Sequence, residues 1–317
     1  MKAGQQKHQS RRLSLALGAA VLSGLVSLPV LAQSPPGIAR VVAPGVQPEL
    51  VSEIFLNTEG PIGVQDGSLY VSDTLASRTY HLDANGGNLA IERENTNRGN
   101  GIALMRDGTM LWAEGDGPRI SKKNPNGGYM SIMPGFRLFQ PNDLIVDTKG
   151  GIYFTDPGPR PVVPGLKVYV YYLPPGAKQP MVIDDSVPRP NGITISPDGR
   201  TLYVDNTIGT TVYRYDIQPD GTVKNKRPFA ELHDIKAGEE GFGDGMAIDR
   251  DGRLYVTTLT GIQIFDAGGK YLGTIKVPRQ PSNVAFAGSD KKTLYITARQ
   301  GLYRIKMLSQ GPDRPGK

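Results

Sequence analysis

Six dipeptides stand ahead of short apolar runs along this chain: Glu59-Gly60, Asn100-Gly101, Asn142-Asp143, Asn191-Gly192, Asp244-Gly245 and Ser282-Asn283. Taken singly, an Asn, Asp or Gly before a strand is an ordinary turn former. Four of the positions together are chemically more specific. Glu59, Asn142, Asn191 and Asp244 offer two carboxylates and two amide carbonyls, all hard oxygen donors, with a combined charge of −2. Such a set suits Ca²⁺; Mg²⁺ and Mn²⁺ share the preference for oxygen, and Zn²⁺ is less natural. Four protein donors do not fill a calcium shell, which leaves room for water or substrate and so for catalysis.

A repeating architecture would bring residues so far apart to one point. Aligning the chain on the aromatic that follows a polar turn gives DGSLYVSD, DGTMLWAE, KGGIYFTD, DGRTLYVD, DGRLYVTT and DKKTLYIT. The aromatics are Tyr70, Trp112, Tyr153, Tyr203, Tyr255 and Tyr295, spaced by 42, 41, 50, 52 and 40 residues. Each copy carries an apolar run before its turn and a third run after the aromatic, as in TVYRYDI at 211–217. Three or four short strands per unit, joined by DG-type turns, describe a propeller blade. The expectation is an all-β, six-bladed β-propeller over residues 49–308. The segment Leu50 to Leu56 is expected to close the last blade and remove its free edge. In a propeller the first strand of each blade lines the axis, so the six dipeptides should gather at one mouth. Residues 33–48 read as a Pro-rich lead-in with no core of its own, and 309–317 as a C-terminal tail.

The first 32 residues have another character. They contain Lys2, Lys7, Arg11 and Arg12 and no acid, then an apolar stretch from Leu13 to Leu31 ending in Val30-Leu31-Ala32. This is the pattern of an export signal, with Ser10-Arg11-Arg12-Leu13 resembling the twin-arginine type. The expected location is the periplasm or the exterior. Ser14, Gly18, Ser23, Gly24, Ser27 and Pro29 make the stretch a poor permanent membrane span. Much of the net charge of +6 resides there: the remainder has 32 basic against 30 acidic residues. A nearly neutral body gives no argument for nucleic acid or an anionic membrane surface as a partner, and the expected partner is a small-molecule substrate. The absence of cysteine excludes disulfides, thiolate nucleophiles and Fe–S clusters.

The ordered set Glu59-Gly60-Pro61, Asn142-Asp143, Asn191-Gly192 and Asp244-Gly245-Met246 resembles the senescence-marker protein, regucalcin and gluconolactonase family. GIYFTDPG at 151–158 and PSNVAFAG at 281–288 add to the likeness, which covers about residues 53–306. The resemblance implies one divalent ion, usually calcium, held by Glu59, Asn142, Asn191 and Asp244. It implies hydrolysis of lactones, with Asp244 also the general base, and places Asn100 and Asn142 against the substrate. Gln140 stands where some members have a sugar-contacting Arg, and Pro157-Gly158-Pro159-Arg160-Pro161 replaces the usual residues after FTDP. That Pro-rich run is either a lip of the mouth or a solvated connection.

Other chemistries are less well served. His81 and His233 are the only histidines after residue 32, and neither heads a repeat. Asp73, Asp156 and Asp205 follow the aromatic strands, where caps explain them. No phosphate-binding Gly loop opens a helix, and no nucleophile elbow with a His partner is present. Two alternatives to a lactonase follow from the same residues: phosphotriester hydrolysis at the same cation, and a binding scaffold whose ion is structural.

Overall fold

A computed structural model describes residues 37–236 and 239–314. The basic, apolar leader lies outside the described residues. Six four-stranded antiparallel sheets make up the chain from Glu49 onward. Their first strands are Thr58–Gly63, Gly99–Leu104, Leu144–Val146, Pro190–Ile195, Met246–Ile248 and Asn283–Ala287. Each first strand touches the first strands of both flanking blades, so the six form a closed ring. The second strands, Leu69–Asp73, Met110–Glu114, Ile152–Asp156, Thr201–Asn206, Leu254–Thr258 and Thr293–Ala298, carry the six aligned aromatics. The fold is a six-bladed β-propeller. Among the described residues no helix is long and apolar enough to cross a membrane.

Burial follows position in the blade. The first two strands are almost wholly buried, being covered by blades on both faces, whereas outer strands such as Met181–Asp184 are largely exposed. The sixth blade is closed by Glu49–Ser52, which pairs antiparallel with Gly301–Lys306. That closing strand is shorter than the run 50–56 suggests, because Phe55 turns into the core while Ile54 and Leu56 face outward.

The glycines after the strand heads explain how closely the ring can draw together. A Cβ on Gly60 would lie 2.0 Å from the Asn100 carbonyl oxygen, on Gly101 2.6 Å from that of Asn142, and on Gly192 2.1 Å from that of Asp244. Blades 3 and 6, which face each other across the axis, carry Asp143 and Asn283 at this position instead. Each caps its own strand: Asp143 Oδ1 accepts from Leu144 N at 3.0 Å and Asn283 Oδ1 from Val284 N at 2.9 Å. Asn283 Nδ2 points at Asp143 Oδ2 across 3.5 Å, and both residues are fully buried. They form a crossbar below the mouth.

The ring is also stitched blade to blade. Ser72 Oγ donates to Asn100 O (2.7 Å), Gly101 N to Asn142 O (2.8 Å), and Thr155 Oγ1 to Asn191 O (2.6 Å). The circle continues from Thr207 Oγ1 to Gly243 O (3.0 Å), from Gly245 N to Ser282 O (2.7 Å), and from Ser282 Oγ to Thr58 O (2.8 Å).

Both chain ends use the propeller as their core. Gly37–Arg40 forms a 3-10 turn, and Val41 and Val42 are buried among residues of blades 5 and 6. At the other end, Ser309 Oγ pairs with Tyr255 OH at 2.8 Å. Arg314 reaches the far end of the blade-4 first strand, donating to Ile195 O at 2.6 Å and Ser196 O at 3.1 Å.

Candidate functional site

Glu59, Asn100, Gln140, Asn142 and Asn191 line one cavity of about 290 Å³ at the head end of the first strands. Asp244 lies beside Asn191, close enough for the Asn191 side chain to favour its charged form. All six sequence-predicted site residues are therefore brought together by the ring.

Local structure sets their orientation. Asn191 Nδ2 donates to Thr207 Oγ1 at 3.0 Å, and that hydroxyl is committed to donating to Gly243 O. The hydroxyl can only accept from Asn191, so the amide is oriented and cannot flip. Its Oδ1 is buried without a hydrogen-bond partner, as is Oδ1 of Asn100. Buried acceptors are normally satisfied, so two orphans at one mouth need an explanation, and a cation or a substrate donor provides one. Glu59 is buried as well, its Oε2 accepting from Gly60 N at 3.2 Å. Among the described residues no cluster of three His, Cys, Asp or Glu side chains could hold a metal. The donors here are two carboxylates joined by amide oxygens, and they fit a hard, oxygen-seeking cation.

The Asp244 carboxyl is pushed up to about 7, first by burial and then by the neighbouring Asp143 carboxylate; Arg160, Asn191 and Arg299 act in the opposite sense. A positive charge beside Asp244 would favour its ionised form.

The walls hold residues that the repeat alignment does not single out: Arg98, Arg160 and Arg189, with Asn57 and Thr74. Arg189 is buried and donates to Pro157 O (3.2 Å), Gly158 O (3.2 Å) and Pro159 O (3.3 Å). Burial and the charge of Arg160 hold its pKa down. The Pro-rich run thus divides. Pro157 and Gly158 are buried wall, pinned by Arg189, and residues 160–165 are exposed. The only sequence signal for Arg189 is its place two residues before Asn191. Gln140 is set by Asp156, whose carboxylate accepts from Phe139 N (2.8 Å) and Gln140 N (2.6 Å). Asp73 caps Leu56 N and Asn57 N in the same way, and Asp205 accepts from Gly192 N. His81 stacks on Tyr70 and His233 on Tyr271, both away from the mouth.

Fold and site together define a six-bladed propeller with an oxygen-lined mouth at the heads of its inner strands. Residues 57–300 match the family described as SMP-30/Gluconolactonase/LRE-like region, and the chain belongs to it. It is 31% identical over 231 residues to a gluconolactonase of Zymomonas mobilis, a match spanning 67% of this chain and 64% of that protein's length. It is 30% identical over 265 residues to a 6-deoxy-6-sulfogluconolactonase of Pseudomonas putida, covering 78% of this chain and 85% of the relative. Among solved structures, a gluconolactonase from Xanthomonas campestris superposes with a TM-score of 0.75 at 29% identity, covering 86% of this chain and 95% of that one.

Proposed function

We propose that this chain opens a lactone, or a closely related ester, to a hydroxy acid at the axial mouth. The observation that carries the reading is the oriented, buried and unpartnered Asn191 Oδ1. It stands among hard oxygen donors in a chain whose relatives are named for lactone hydrolysis. A divalent cation held by Glu59, Asn142, Asn191 and Asp244, with Ca²⁺ the best match to these donors, would supply Lewis-acid stabilisation of charge developing on the lactone carbonyl.

The chain's own residues do the rest. Asp244, ionised at the reaction pH, takes the proton of the attacking water. The ring C–O bond then breaks, and the proton passes to the departing alkoxide as the hydroxyl of the product. Asn100 and Gln140 present amide groups to the substrate's hydroxyls, and Asn142 serves both substrate and cation. Pro157 and Gly158, held by Arg189, form the wall that limits water. Residues 1–32 would direct export, so the reaction takes place outside the cytoplasm.

The test is a pH-stat panel of aldonolactones and aliphatic lactones, run with added calcium and with chelator. Hydrolysis that needs the cation and drops by about a thousandfold in Asp244→Asn supports the reading. Full activity in that variant, or activity indifferent to exhaustive chelation, would overturn it.

A further inference from the structure

The cavity has two electrostatic storeys. Its floor holds the carboxylate of Glu59, with that of Asp244 buried beside Asn191, and its rim holds Arg98 and Arg160, both exposed. Neither rim guanidinium makes a hydrogen bond or an ion pair with another described residue. Neither forms a direct ion pair with a floor carboxylate, although the charge of Arg160 favours the ionised form of Asp244. A divalent cation on the floor would cancel Glu59 and Asp244 and leave the mouth net positive.

The rim arginines are held in place. Arg98 sits in left-handed backbone at φ +54°, directly after Asn97 at +52°. Asn tolerates that region, but a long side chain there is uncommon, and such strain collects at ligand sites. The turn is pinned by Arg98 N donating to Ser77 Oγ at 3.0 Å and by Asn97 Nδ2 donating to Glu114 Oε2 at 2.7 Å. Arg160 follows Pro159, whose carbonyl Arg189 holds at 3.3 Å. Arg160 therefore stands near a second guanidinium and the two repel, with Glu240 and Asp244 offsetting part of the effect at Arg189. An anion seated at the rim relieves this repulsion and gains the bidentate donors that arginine offers to carboxylate, sulfonate or phosphate.

We propose that the preferred substrate is an anionic lactone, with its reacting carbonyl at the floor and a carboxylate, sulfonate or phosphate, several bonds away, between Arg98 and Arg160. This specifies the substrate class of the lactonase reading and rests on it. Gln140 on the wall is uncharged, so the discrimination of charge falls to the two rim residues.

The experiment compares glucono-δ-lactone with the analogues that carry phosphate or sulfonate in place of the primary hydroxyl. The readout is the ratio of kcat/KM for the charged lactone over the neutral one. The expected ratio in the wild type is about tenfold or more, falling as salt rises. In Arg98→Gln/Arg160→Gln it collapses to near unity, and the doubly reversed Arg98→Glu/Arg160→Glu disfavours the anion outright. Arg106→Gln, which removes one positive charge in the turn after the blade-2 first strand, keeps the ratio. A phosphate-only or sulfonate-only preference identifies the anion. A wild-type ratio near unity, or a ratio that survives both double variants, overturns the inference while leaving lactone hydrolysis intact. If no lactone is turned over, calorimetry of the calcium-loaded protein with gluconate and with its phosphorylated analogue separates the two readings. Tighter binding of the phosphorylated acid, lost in Arg98→Gln/Arg160→Gln, supports rim recognition although the reaction class has failed. Equal binding overturns both.

Discussion

At the scale of single residues, the consequential group is the carboxyl of Asp244. With its pKa raised to about 7, it binds a proton in the metal-free protein at a pH where the unfolded chain has lost it. The sign follows directly. An acid with a raised folded pKa costs stability as pH climbs above its unfolded value, about 4, and the cost stops growing above 7. In chelator, the melting temperature should fall between pH 5 and 8. A bound cation must displace that proton, so calcium affinity should rise about tenfold per pH unit up to 7 and then level. Calorimetry in buffers of different ionisation enthalpy would register one proton released per ion at pH 6. A pH-independent affinity would contradict the assignment. Gly192 belongs to the same scale. A methyl group there meets the Asp244 carbonyl oxygen at 2.1 Å, which is backbone and cannot yield. Gly192→Ala should destabilise the fold by about 3 kcal/mol, read in urea titrations. It should also weaken calcium binding, because the two blades that carry Asn191 and Asp244 are forced apart.

At the scale of elements, blade 2 departs from its siblings. The second position after the strand aromatic is Ser72, Thr155 or Thr257 in three blades, each donating to a carbonyl at the head of the next blade, and Thr297 in the last, which donates to Asn283 O of its own. In blade 2 it is Glu114, fully buried, with Arg93 at 2.5 Å and Arg119 at 2.7 Å. Arg93 in turn lies over the rings of Tyr129 at 3.4 Å and Trp112 at 4.7 Å. Burial alone would raise the Glu114 carboxyl, but donation from Arg119, Ser121, Arg93 and Asn97 outweighs it, and the net pKa is lowered. Its stabilisation is therefore complete above the unfolded Glu pKa and disappears as pH falls through the folded one. Glu114→Gln should cost about 3–5 kcal/mol at pH 7 by stranding buried Arg93, and the variant's deficit should shrink below pH 4. Because Asn97 also loses its acceptor, hydrogen exchange at 95–98 should quicken in the variant, and the turn that carries Arg98 with it.

The elements themselves were legible because the repeat is expressed in aromatics and DG turns, features whose meaning is local. The gathering of Glu59, Asn142, Asn191 and Asp244 at one mouth was legible for the same reason, since they occupy one repeat position. The rim was not. Arg98 and Arg189 each stand two residues before a strand-head Asn, the position Gln140 holds in blade 3, but the aligned motifs do not mark that position, and Arg160 comes from the Pro-rich run, which has no counterpart in the other blades. The split of the Pro-rich run was also hidden, because it depends on three carbonyls finding Arg189. The ends of the chain misled in a simpler way: residues 37–42 and 309–314 have no core of their own in sequence, yet they complete that of the propeller.

For the whole molecule, the described chain ends are part of the architecture and should be felt as such. Val41 and Val42 pack into the core between blades 5 and 6, so Val41→Asp should lower the melting temperature by about 5–10 °C, measured by calorimetry on the calcium-loaded protein. Finally, the buried pair Asp143 and Asn283 bars the axis, and Arg314 lies against its far end. The ring is thus a cup rather than a tunnel. Whatever is accepted must back out through the doorway it came in by, so an acid formed inside stands in the path of the next arrival. Traffic through that doorway would set the pace of turnover once the chemistry is fast.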